Sequence, residues 1–137
     1  MQQTFTALDE QGVAYAAELD PALLAFVKCH VTSVVAWVAL RYVAEREGRW
    51  VGAEDVARVA QRPRVEVDRV MHALSQDGVV DEIHDGNAED ARYRLPHDEP
   101  TTIVLQRLVQ ATMRSPALRS VIAASVARGG RVLKPVA

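Results

Sequence analysis

The sequence predicts a mainly α-helical fold with a small β-hairpin, on three observations. Residues 53–61 and 63–76 carry apolar side chains at helical spacing, split by Arg62-Pro63. Gly78 then interrupts the pattern, and Val79-Val80 and Tyr93-Arg94-Leu95 read as extended segments on either side of a charged loop. Apolar residues recur at helical intervals both before and after this stretch.

Each element follows in order. Thr4–Leu8 and Val13–Ala17 flank Asp9-Glu10-Gln11-Gly12 and read equally as a hairpin or a loose arm. Asp20-Pro21 is a helix start, because Asp caps free amides and Pro suits the first helical position. A long helix is expected from there to about Glu47, with Gly48 ending it. Its apolar residues, among them Phe26, Val31, Val35 and Val38, cover more than one face, so packing must hold it helical. Trp50-Val51 suits a short strand paired with the hairpin.

The helix over 53–61 is expected to bury Val56, Val59 and Ala60, with Glu54 and Asp55 in the first turn favoured by the helix dipole. Pro63 disfavours helical dihedrals at Arg62 and opens a second helix, which buries Val67, Val70, Met71 and Leu74. Gly78 stands where a left-handed cap is expected. After a polar linker, Ile103, Leu105, Leu108, Val109 and Met113 mark another helix. Ser115-Pro116 breaks it and starts a last one with Leu118, Val121, Ile122 and Val126. Gly129-Gly130 should stop that helix and leave a frayed basic tail. The expected organisation is an arm over 1–20, a central domain over 21–98, paired helices over 99–128 and a flexible tail over 129–137.

The central order of helix, tight turn, helix, Gly, strand, polar loop and strand resembles the winged helix-turn-helix of bacterial transcription regulators in the MarR and ArsR style. The resemblance rests on Val56, Val59 and Ala60 in the supporting helix, Val67, Val70 and Leu74 in the presumed recognition helix, Gly78-Val79-Val80, and Tyr93-Arg94-Leu95. It covers roughly a third of the chain and consists of residue types at set positions. It implies double-stranded DNA as partner and a homodimer built through the flanking helices. Two recognition helices would then lie about 34 Å apart on a palindromic operator.

The recognition helix would show Arg64, Glu66, Asp68, Arg69 and His72 outward. Arg64 and Arg69 could donate to guanine or phosphate, Glu66 could accept from cytosine, and His72 could reach a base or phosphate. Arg62 in the turn suits the DNA backbone. By resemblance, an Arg of the wing enters the minor groove, and Arg92 is the candidate here. Arg94 is expected to point outward from the return strand.

Charge both supports and restrains this reading. The chain has 137 residues and a formal net charge of −2, so a phosphate-binding surface must be local. Residues 81–99 carry seven acids against Arg92 and Arg94, while residues 100–137 carry six basic groups and no acid. The competing reading is therefore a winged-helix interaction module that docks a protein through its acidic wing or apolar helices, without touching DNA.

Hydrophobic residues at 49% and charged residues at 25% describe a globular protein of single-domain size. A single cysteine makes no internal disulfide, so a reducing, cytoplasmic location is expected. No leader is expected in Met1–Leu8, and the uncharged stretch 29–40 is too short for a membrane span. Catalytic motifs are absent, and no enzyme activity or cofactor is expected. His84, Asp85, Asp90, His97 and Asp98 are the one set that could suit a metal, but their spacing matches no zinc signature and no metal is expected. Trp37, Tyr42 or Trp50 would line any effector pocket between the long helix and the central domain, with no ligand implied.

Overall fold

Asp20 opens the first helix as the sequence predicts: its Oδ1 accepts from the Ala22 amide at 2.8 Å, and Pro21 occupies the first turn. The computed structural model describes residues 20–84 and 91–136, with side chains as far as Gly129. The expected arm over residues 1–19 and the hairpin tip over 85–90 lie outside the described residues.

Helix α1 spans Pro21–His30 and α2 spans Val34–Glu45, so the expected long helix is two helices. The break has a local and a distant cause. Ser33 accepts from the Ala36 amide at 3.0 Å and starts a fresh helix, while β-branched Val31-Thr32 resists helical dihedrals. Across the molecule, the Ser125 hydroxyl reaches the carbonyls of Val27 at 3.4 Å and Val31 at 3.1 Å, giving the end of α1 a partner.

Strand β1, Val51–Gly52, leads into α3 over Ala53–Ala60 and α4 over Arg64–Gln76. The Asp55 carboxylate accepts from the Gly52 amide at 3.2 Å, closing the start of α3. Gln61 has φ +55°, and the Arg62 amide returns to the Ala57 carbonyl at 3.2 Å, so α3 ends in a left-handed turn before Pro63. The buried side of α3 is Ala53 and Val56, with Ala57 packed against the core. Val59, expected inside, is 59% exposed, because the helix faces α2 and α4 with its 53–56–57 edge. Ala60 is half-buried.

In α4, Val67, Met71 and Leu74 are buried as expected, and Val70 is packed at the core's margin. Gly78, at φ +78°, donates to the Ser75 carbonyl, and Val79 donates to that of Leu74 at 2.9 Å. This paired return satisfies the helix's last carbonyls and drops Val79 and Val80 into the core. Strand β2, Asp81–His84, pairs antiparallel with β3, Ala91–Arg94, which also pairs with β1. The sheet order is β1-β3-β2, so the expected Trp50-Val51 strand is present as Val51–Gly52, opposite Tyr93 and Arg92.

Helix α5, Pro100–Arg114, and α6, Pro116–Val136, complete the chain. Ser115 accepts from the Leu118 amide at 3.0 Å, which caps α6 at the break the sequence predicts. The expected helix stop at Gly129-Gly130 is corrected: α6 continues to Val136. A Cβ on Gly129 would lie 2.3 Å from the Thr32 carbonyl oxygen, so this glycine permits a close backbone crossing at the α1–α2 break. The core joins all layers through Leu40, Val56, Val67, Met71, Tyr93, Leu105, Leu108 and Leu118. Among the described residues the fold is mainly helical with one three-stranded antiparallel sheet, and no helix is long and apolar enough to cross a membrane.

Candidate functional site

The outer edge of α4, the turn before it and the neighbouring hairpin gather all six candidate residues on adjoining elements. Arg62, Arg64, Arg69, His72 and Arg92 are exposed, and Glu66 is half-buried. Arg64 opens α4 and Arg92 lies on β3 opposite Gly52 and Ile83. These two arginines line one cleft of about 290 Å³ beside the first turn of α3, together with Glu54 and Asp55. The cleft's charges are thus balanced in kind.

The other candidates are partly engaged. Arg62 and Glu66 form an ion pair at 3.5 Å across one helical turn, too exposed to matter for stability. His72 Nδ1 lies 3.0 Å from Glu82 Oε1, so one of its nitrogens faces the sheet. Asp68, expected to face outward, instead accepts from the Tyr93 hydroxyl at 2.7 Å. Arg94 also departs from expectation: it is half-buried, stacks 4.2 Å from the Trp50 ring centre and approaches Asp81 at 3.5 Å. Exposed Val65, at 69%, interrupts the polar edge of α4.

Sequence reasoning did not single out Tyr93, Glu82 and His84 as working together. Tyr93 is 1% exposed; burial and then the Asp68 carboxylate push its phenol far above the ordinary range. Glu82 is the hub of a second cluster. Its side chain is 8% exposed, with His84 Nε2 at 2.7 Å from Oε2 on one side and His72 on the other. Burial pulls its carboxyl up, but hydrogen bonds from His72, Ser75 and His84 outweigh this and hold it below the usual value. Strand alternation beside the helix stripe was the only advance signal, and it cannot fix which helix residue meets which strand residue.

The remaining expectations divide. Asp85 and Asp90 of the metal set lie outside the described residues, and among the described ones no group of three or more His, Cys, Asp or Glu is arranged for a metal. Tyr42 lines a shallow cleft of about 150 Å³ with Val38 and Val59, and Arg46 covers its ring at 3.6 Å. Trp37 and Trp50 do not line that cleft. No family model matches the chain, and no curated protein or solved structure is detectably similar to it.

Proposed function

We propose that the protein is a winged-helix DNA-binding regulator of transcription that acts as a homodimer. The reading is carried by one observation: α3, the turn and α4 stand beside the paired strands β2 and β3, with Arg64 on α4 lining one cleft with Arg92 on β3 and Arg69 exposed further along α4. A recognition helix uses its N-terminal half in the major groove, where Arg64 and Arg69 donate, and Arg92 follows the backbone or minor groove. The dimer surface is formed by the flanking helices, where Ile103 and Met113 on α5 are 52% and 72% exposed.

Fluorescence anisotropy with a random-sequence duplex tests this directly. Micromolar or tighter binding that weakens steeply with salt is expected. Absence of binding at low salt overturns the proposal. Sedimentation velocity at tens of micromolar tests the dimer, and a species near 15.1 kDa would refute it.

The interaction-module reading has its own supporting observation. Val59 and Val65, on either side of the α3–α4 turn, are 59% and 69% exposed, and apolar side chains suit a protein surface better than phosphate. Retention of a protein partner together with silence toward DNA would favour it.

A further inference from the structure

Glu82 sits between two imidazoles, and its surroundings define what each can do. As an ionised carboxylate it only accepts hydrogen bonds, so His72 donates from Nδ1–H and His84 donates from Nε2–H. The opposite nitrogens, Nε2 of His72 and Nδ1 of His84, are where a further proton binds. The two side chains are 56% and 48% exposed, so that proton comes from solvent without opening the fold. Imidazole is the side chain whose ordinary titration falls between about pH 5 and 8.

From this geometry we infer that the α4–β2 junction is a proton-operated charge switch that tightens DNA binding as the solution becomes acidic. The inference rests on the DNA-binding reading above. With both imidazoles neutral, the cluster carries the single negative charge of Glu82 on the edge that would face phosphate. With both protonated, two positive charges enclose one negative charge, and the same edge becomes net positive. The hydrogen bonds to Glu82 persist throughout, so the switch changes field rather than shape.

Among the described residues, the other charged or titratable side chains on the elements that carry the cluster are Arg64, Glu66, Asp68 and Arg69 on α4, Asp81 on β2, and Arg92, Tyr93 and Arg94 on β3. Side chains of those classes ordinarily keep one charge across about pH 5.5–8. His30 and His97 lie elsewhere in the molecule and remain in the variants below, so they supply the background.

The test measures anisotropy of a labelled random-sequence duplex with the full chain, at constant ionic strength, from about pH 8 to about pH 5.5. The native chain should bind about tenfold tighter at the acid end. The double variant His72→Gln with His84→Gln keeps amide donors for Glu82 and cannot titrate, so its affinity should change less than about twofold over the same range. If the native chain binds with no pH dependence, or the double variant keeps the full dependence, the switch is overturned while the DNA-binding reading stands. Absence of binding at every pH overturns the reading and the switch together. Should the double variant fail to fold by circular dichroism, His84→Gln alone must lose about half of the logarithmic pH response, and retention of all of it refutes the switch.

Discussion

The Tyr93 hydroxyl donates to the Asp68 carboxylate at 2.7 Å, joining the middle strand of the sheet to α4 across 25 residues. The phenol is buried and Asp68 half-buried, so the contact fixes how far α4 stands from the hairpin. Tyr93→Phe keeps the ring's packing and strands the carboxylate. Thermal unfolding should show a loss of about 1 kcal/mol. If DNA binding depends on that spacing, affinity should fall in the same variant with helix content unchanged.

Gly129 and Ser125 hold the break between α1 and α2 from the far side. Gly129→Ala would drive a methyl group into the Thr32 carbonyl, and urea unfolding should report a loss of about 1–3 kcal/mol. Ser125→Ala removes the donor to Val27 and Val31 and should cost about 1 kcal/mol. Equal stability of both variants with the native chain would show that α6 does not pack on this junction.

Gly78 adopts φ +78° with open space around its Cα, so strain rather than collision governs substitution there. Gly78→Ala should destabilise by about 1 kcal/mol, read as a lower Tm.

His30 sits between Phe26 and Asp77; its buried Nδ1 makes no hydrogen bond and lies 3.8 Å from the Asp77 carboxylate. Burial holds the imidazole below its ordinary value of 6.5, and Asp77 only partly opposes this. The unfolded chain therefore binds the proton more readily than the folded one. Stability is fully present above that ordinary value and declines as pH falls through it toward the folded value. His30→Leu should flatten this part of the Tm–pH profile and raise Tm at its acid end. An unchanged slope in the variant would show that another group is responsible.

Arg69 and Arg92 are exposed, so their removal tests the proposed DNA binding apart from folding. Arg92→Ala should weaken duplex binding across sequences and reduce the logarithmic salt slope by about 1, with Tm unchanged. Arg69→Ala should cost about 1–3 kcal/mol on a preferred sequence, if it reads a base. A fall in Tm for either variant would place these side chains in the fold's support instead.

Elements whose signals are local were legible from sequence. Asp20-Pro21, Pro63, Gly78 and Ser115-Pro116 mark boundaries because capping and fixed φ act within one turn. The stripe Val67, Met71, Leu74 was legible because helical spacing is a property of the segment itself. Val59 and Asp68 were misjudged because a helix stripe leaves its margins open, and the neighbouring element decides which edge is covered. Gly129 was read as a stop because glycine lowers helix propensity, whereas the crossing at Thr32 requires its missing Cβ.

The amino-acid order by itself determined the helical character, the turn at Pro63, the hairpin and the local placement of the six polar candidates, since these depend on neighbours a few positions apart. Tertiary structure alone decided that α6 passes its glycines and that Glu82 meets two histidines, and it joined the local Ser33 cap in dividing the first long apolar run. Those outcomes depend on groups 10 to 98 residues apart, such as His72 with Glu82 and Val27 with Ser125. Spacing along a chain carries no distance information at that range; only packing brings such partners within hydrogen-bond reach.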